Sequence, residues 1–185
     1  MPGVGGPARK IAPWPRGLPY PGPAGWSPDS TQVAFALGQG VNPWLEVLTL
    51  PDRVSRKLSL PQRPLNNVVL YISWSPDGRW IAYGRSLSAI AATSELWLTR
   101  TSDGESFQLT GGSSRDSSPS WSRDSRRLYF VSDRGGTPDL WRLAINDDGG
   151  FEGPSQQVTA GIEMVHAVLS AVSYTHLTLP TNREV

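Results

Sequence analysis

One ten-residue pattern returns twice along the chain and constrains its fold more than any other feature. Trp26-Ser27-Pro28-Asp29-Ser30-Thr31-Gln32-Val33-Ala34-Phe35 comes back 48 residues on as Trp74-Ser75-Pro76-Asp77-Gly78-Arg79-Trp80-Ile81-Ala82-Tyr83. It returns after 47 more as Trp121-Ser122-Arg123-Asp124-Ser125-Arg126-Arg127-Leu128-Tyr129-Phe130. A second marker keeps the same beat: Arg9-Lys10-Ile11-Ala12, Arg56-Lys57-Leu58-Ser59, Phe107-Gln108-Leu109-Thr110 and Gln156-Gln157-Val158-Thr159. Between the two lie apolar segments at Leu45 to Leu50, Leu96 to Arg100 and Leu140 to Ile145. Three markers in one register identify a structural repeat, each unit too small to bury its apolar faces alone.

Each unit reads as four short strands. In the third they are the strand into Trp121, Leu128 to Ser132, Leu140 to Ile145, and Gln156 to Thr159. The connections carry turn chemistry. In Ser75-Pro76-Asp77-Gly78, Pro sets φ, Asp can bond a backbone N–H two residues on, and Gly accepts positive φ. Asp133-Arg134-Gly135-Gly136 and Asn146-Asp147-Asp148-Gly149-Gly150 serve the next two corners. No segment sustains an apolar period of 3.6, so helix should be scarce. Four short antiparallel strands every 47 or 48 residues predict a propeller blade. The expected fold is all-β: an incomplete β-propeller of about three four-stranded antiparallel blades, with part of a strand from a preceding blade. Trp26, Trp74 and Trp121, one per unit, are expected to wedge between packed sheets.

The motif from Trp74 to Tyr83 resembles the repeat of TolB-type, WD40-like β-propellers. Phe130-Val131-Ser132-Asp133-Arg134-Gly135-Gly136 followed by Asp139-Leu140-Trp141 is similar to that family too. The resemblance runs over residues 9 to 171 and implies a fold more than a function. Propellers of this family occur in periplasmic envelope proteins, beside bacterial kinases and regulators, and in front of serine peptidase domains. It therefore implies a protein-interaction scaffold, non-catalytic by itself, with a protein or peptide partner and a cell-envelope location slightly favoured. The alternative it implies is the regulatory propeller of a serine peptidase of the prolyl-oligopeptidase type.

The expected organisation is residues 1–25 as the end of a preceding blade and a loop, then blades at 26–59, 60–110 and 111–160. A truncated blade is expected at 161–171. The first unit is irregular from Ala36 to Pro43, which leaves its second and third strands less well defined. The segment from Val172 to Val185 resembles translated sequencing-adapter read-through, and both ends read as cuts.

Composition narrows the function classes. The chain has 17 basic and 16 acidic residues, intermixed, so it lacks the field that holds nucleic acid or an anionic membrane. No apolar run reaches the roughly 20 residues of a membrane span. With no Cys there is no disulfide framework or thiol nucleophile. Eight Trp and 36 Gly plus Pro residues fit a turn-rich folded chain.

Candidate chemistry is sparse, and neither a catalytic group, a metal site nor a cofactor is expected. The two histidines are His166 and His176, and neither accompanies a Gly-x-Ser-x-Gly elbow. Asp147, Asp148 and Glu152 fit no calcium loop and read as a solvated hairpin. Gly38-Gln39-Gly40 is too short for a phosphate-binding turn. Asp29, Asp77 and Asp124, with Gly78, recur at one place in each unit, which points to hairpin structure. The polar run Ser113-Ser114-Arg115-Asp116-Ser117-Ser118 enters the third motif on an inter-blade loop, where partners dock. Arg115 and Asp116 are its partner-binding candidates.

Overall fold

Side chains on a strand point alternately to its two faces, and the middle unit is buried on both of them, at every position from Trp80 to Ser86. The computed structural model describes residues 23–37, 43–50, 52–62, 68–86 and 92–161. Among them are twelve strands and no helix. Blade 1 comprises β1 (Ala24–Trp26), β2 (Gln32–Leu37), β3 (Trp44–Thr49) and β4 (Val54–Ser59). Blade 2 comprises β5 (Val68–Trp74), β6 (Trp80–Ser86), β7 (Ser94–Arg100) and β8 (Ser106–Gln108). Blade 3 comprises β9 (Asp116–Trp121), β10 (Arg127–Ser132), β11 (Asp139–Ile145) and β12 (Phe151–Gln157).

In each blade, consecutive strands pair antiparallel in sequence order. The first strands lie side by side, β5 between β1 and β9, so the blades fan out from them. The outermost strands β4 and β12 are largely exposed. Three sheets do not close into a ring, and the architecture is an incomplete propeller.

Two cores lie between the blades. Ala34, Ala36, Leu45 and Val47 of blade 1 share one with Ile81, Tyr83 and Trp97 of blade 2. The opposite face of blade 2, with Trp80, Ala82, Leu96 and Leu98, shares the other with Leu128, Phe130, Leu143 and Ile145 of blade 3. Full burial of the Val, Leu, Ile and Phe side chains among them is worth about 1.5–3 kcal/mol each, so these interfaces hold the array together. Each is pinned by an indole: Trp74 Nε1 donates to the Gly25 carbonyl at 3.0 Å and Trp121 Nε1 to the Ser73 carbonyl at 3.1 Å. Gly25 permits the close approach, since a Cβ there would lie 3.0 Å from Ile72 Cγ2. Trp26 differs from the wedge expected of it, because with no earlier blade among the described residues it is 55% exposed.

The fourth strand of blade 3 starts earlier than its sequence implies, at Phe151, with Gly153 and Pro154 inside it. An edge strand tolerates Pro because its outer N–H groups need no partner. The Leu-Thr and Val-Thr pairs of the second marker lie just beyond β8 and β12 and latch the third strands. Thr110 Oγ1 accepts from Leu96 N and Thr159 Oγ1 from Leu140 N, both at 2.9 Å. Residues 1–22 of the expected preceding blade and loop and the segments after Gly161 fall outside the described residues. No helix among the described residues is long and apolar enough to cross a membrane.

Candidate functional site

The repeated aspartates sit in one turn built three times. Ser27 Oγ donates to Asp29 Oδ1 at 2.6 Å, Ser75 Oγ to Asp77 Oδ1 at 2.6 Å and Ser122 Oγ to Asp124 Oδ1 at 2.5 Å. The same carboxylate oxygens accept from Thr31 N, Arg79 N and Arg126 N, each at 3.0 Å. The serine oxygens accept from Gln32 N, Trp80 N and Arg127 N at 2.9 Å. The bonds from Ser27 and Ser122 hold the Asp29 and Asp124 carboxyls below the usual carboxylate range. At Asp77, burial pushes the other way, yet the bonds from Ser75 and Arg79 together still lower its pKa. Gly78 takes φ 73°, the left-handed conformation at the end of this turn. One oxygen of each carboxylate thus shapes the turn, and the other accepts from the Thr31 hydroxyl, Arg79 Nε or Arg127 Nη1.

One further bond stitches neighbouring turns, from Asp77 N to Ser125 Oγ at 3.0 Å. On the same rim, Arg79 bridges to Asp147 at 3.1 Å, in a solvated pair worth about 0–1 kcal/mol. Asp147 and Asp148 stay exposed, and the described residues contain no group of three or more His, Cys, Asp or Glu able to hold a metal. His166, His176 and Gly38-Gln39-Gly40 lie outside the described residues.

The opposite rim carries the junction of blades 2 and 3, and it is built from different groups. Ser94 of β7 forms a parallel bridge with Arg115, and Ser94 Oγ donates to the Asp116 carbonyl at 2.6 Å. Arg115 N donates to Asp133 Oδ1 at 2.8 Å, which ties the inter-blade loop to the β10–β11 corner. Asp116 is completely buried. Its carboxylate accepts from Arg134 Nη2 at 2.8 Å and from Ser114 Oγ at 3.2 Å, so it positions the loop from beneath instead of facing solvent.

Arg134 is the hub of this junction. Its guanidinium lies 5.1 Å from the Phe130 ring centroid and 5.3 Å from that of Trp141, a cation–π arrangement. It also donates to Ser132 Oγ at 2.8 Å and to Ser155 Oγ. Asp139, also fully buried, accepts from Thr137, Thr159 and the Gly161 N–H and so anchors the far end of the corner. Above this framework opens a depression of about 570 Å³, lined by Gly111, Gly112, Ser113, Ser114, Asp133, Arg134 and Gly136. Around Gly112 and Gly136 there is open space where a side chain would stand. Arg115 is exposed beside it. Sequence reasoning placed Arg134 only in a corner turn, because its pairing with Asp116 spans 18 residues.

The model of the TolB β-propeller domain family matches residues 25–171. The chain belongs to that family. The uncharacterized peptidase YuxL of Bacillus subtilis is 39% identical over 82 residues, which are 43% of this chain and 12% of the relative. Among solved structures, TolB from Acinetobacter baumannii superposes with a TM-score of 0.58 at 21% identity, covering 80% of this chain and 35% of that one. A puromycin-hydrolyzing peptidase of Mycobacterium tuberculosis superposes at 0.60 with 18% identity, covering 80% of this chain and 24% of that one. At these identities the structures share a fold with the TolB-like chain, which spans well under two-thirds of each.

Proposed function

We propose that this TolB-like propeller segment is a docking module whose partner surface is the rim at the junction of blades 2 and 3. The observation that carries this is the depression lined by Gly111 to Ser114 and by Asp133, Arg134 and Gly136, set on a buried Asp116–Arg134 pair. Open, polar and glycine-rimmed ground on a rigid support suits a protein or peptide, since binding then costs little ordering of the loops. Arg115 stands at its edge, and Asp116 acts as a positioning residue.

Panning a displayed peptide library on the chain tests this reading. Enriched peptides should lose affinity when Ser113→Arg fills the depression and keep it when Thr31→Arg alters the opposite rim. Peptides indifferent to Ser113→Arg would overturn the assignment.

A second reading draws on the likeness to two proteins named as peptidases: the propeller gates a hydrolase domain encoded further along the gene. An α/β-hydrolase Ser, Asp and His downstream would support it. A kinase or DNA-binding domain upstream would support the scaffold.

A further inference from the structure

The turns of blades 1 and 2 meet on the same plan as the turns of blades 2 and 3, yet two residue changes leave their junction open. Between blades 2 and 3, Trp80 and Trp121 share one core and are 2% and 6% exposed. Ser125 Oγ ties these two turns by accepting from Asp77 N at 3.0 Å. Between blades 1 and 2, the positions of Trp80, Trp121 and Ser125 are held by Gln32, Trp74 and Gly78. Gln32 Nε2 donates to Thr49 Oγ1 at 3.3 Å, Gly78 has no side chain to accept from Asp29 N, and Trp74 is left half-buried. A depression of about 460 Å³ opens there, walled by Pro28, Asp29 and Gln32 on one side and by Trp74, Asp77 and Gly78 on the other.

The charges of the two junctions differ as well. Asp77 pairs with Arg79 at 2.8 Å and Asp124 with Arg127 at 3.2 Å, and Arg123 stands in the turn of blade 3. In blade 1 the places of Arg79 and Arg127 are taken by Thr31 and Gln32, and in blade 2 the place of Arg123 is taken by Pro76. Among the described residues no basic side chain pairs with Asp29, whose carboxyl is held below the usual carboxylate range by the bonds from Ser27 and Thr31 and so is ionised at neutral pH. Asp29 Oδ2 accepts from Thr31 Oγ1 and Asp77 Oδ2 from Arg79 Nε, which leaves each oxygen a second lone pair. The depression therefore combines an anionic wall with an indole and a proline ring.

We propose that this depression receives a lysine or arginine side chain of a partner protein, with its cationic head at Asp29 and its stem along Trp74 and Pro28. Such a side chain carries a positive head for the carboxylate and the ring, and an apolar stem for the walls. A backbone carbonyl of the same residue takes the Asp29 N–H, as Ser125 Oγ takes that of Asp77. One side chain held this way binds on the order of millimolar, too weakly to select a peptide alone, so the depression adds to contacts that the partner makes elsewhere. The site lies on the rim opposite the docking surface at blades 2 and 3 and does not depend on it.

Nuclear magnetic resonance titration of the isotope-labelled chain with Nα-acetylargininamide, beside its uncharged isostere Nα-acetylcitrullinamide, tests the proposal. The arginine probe should shift the Asp29 and Gly78 amide and Trp74 indole signals saturably, and the citrulline probe should bind about tenfold more weakly. Thr31→Arg gives Asp29 the kind of partner that Arg79 gives Asp77, and should weaken the arginine probe by about two- to fivefold. Gly78→Ser sets a hydroxyl across the depression and should abolish the shifts at Asp29 and Trp74, whereas Ser113→Arg on the opposite rim should leave them in place. Equal affinity for the arginine and citrulline probes would overturn the proposal, as would the absence of shifts at these three residues. Shifts that survive Gly78→Ser would put the probe outside the depression and overturn it too.

Discussion

On the rim where the first two strands of each blade join, two hydrogen bonds recur at Asp29, Asp77 and Asp124 to within 0.1 Å. On the opposite rim, the Asp116–Arg134 pair, its aromatic sandwich and the depression above it belong to the junction of blades 2 and 3. A group required by the geometry of the repeat must appear in every unit. A group serving a partner need appear only where the partner binds. The contrast separates two kinds of aspartate that the sequence presents alike, one shaping a surface turn and the other holding a loop from within.

The largest effect that would break this contrast is expected at Asp116. Asp116→Ala leaves Arg134 between Phe130 and Trp141 with its carboxylate partner gone, and breaking a buried pair costs about 3–5 kcal/mol. Because the Arg134 side chain is 24% exposed, the lower end is expected. A urea unfolding midpoint shifted by less than about 1 kcal/mol would show that the junction does not depend on the pair.

Next comes the packing between rim hairpins. Gly149 has φ 86°, and a Cβ there would lie 2.3 Å from the Trp80 ring. Gly149→Ala must therefore displace a buried indole and hold a strained backbone, for a loss of about 2–4 kcal/mol. An unchanged melting temperature would mean that Trp80 and the β11–β12 hairpin are not in contact in solution.

The repeated turn should give smaller losses. Asp77→Ala removes an acceptor from Ser75 Oγ and Arg79 N and should cost about 0.5–2 kcal/mol, by analogy with a lost helix cap. A pH titration of stability sharpens this. The folded carboxyls of Asp29, Asp77 and Asp124 hold protons less tightly than unfolded ones. Their contribution is therefore complete above about pH 4 and drains as pH falls through the lowered folded values. Asp77→Ala should flatten that acid loss, and an identical slope in the variant would exclude Asp77 from it.

What was legible in the sequence follows the same division. The spacing of Trp26, Trp74 and Trp121 announces the blades because tight hairpins need Asp and Gly chemistry in fixed places. The start of β12 was missed because Gly153 and Pro154 imitate a turn, while an exposed edge strand tolerates both. The depth of Asp116 was missed because it sits in a run of serines. Its burial is set by Arg134, 18 residues away, and by packing against β7. Trp26 and Trp121 head nearly identical motifs, yet one is 55% exposed and the other 6%; among the described residues a blade precedes Trp121 and none precedes Trp26.

The smallest expected effect tests whether the stitch between turns is portable. Asp77 N donates to Ser125 Oγ, but at the junction of blades 1 and 2 the position equivalent to Ser125 is Gly78, which has no side chain to accept from Asp29 N. Ser30 and Ser125 hold φ 60° and 59° at this position, so the backbone already accommodates Ser, and a Cβ on Gly78 would meet only Pro28 Cγ, at an ordinary 3.7 Å. Gly78→Ala should incur the left-handed strain alone, about 1 kcal/mol. Gly78→Ser should offset it with one hydrogen bond, worth about 0.5–1.5 kcal/mol, and end near the parent. The gap between the two variants in urea unfolding, at one protein concentration, measures the stitch. Equal midpoints would show that Ser125 bonds Asp77 without stabilising the junction, and that the apolar cores and the indole bonds alone set the spacing of the blades.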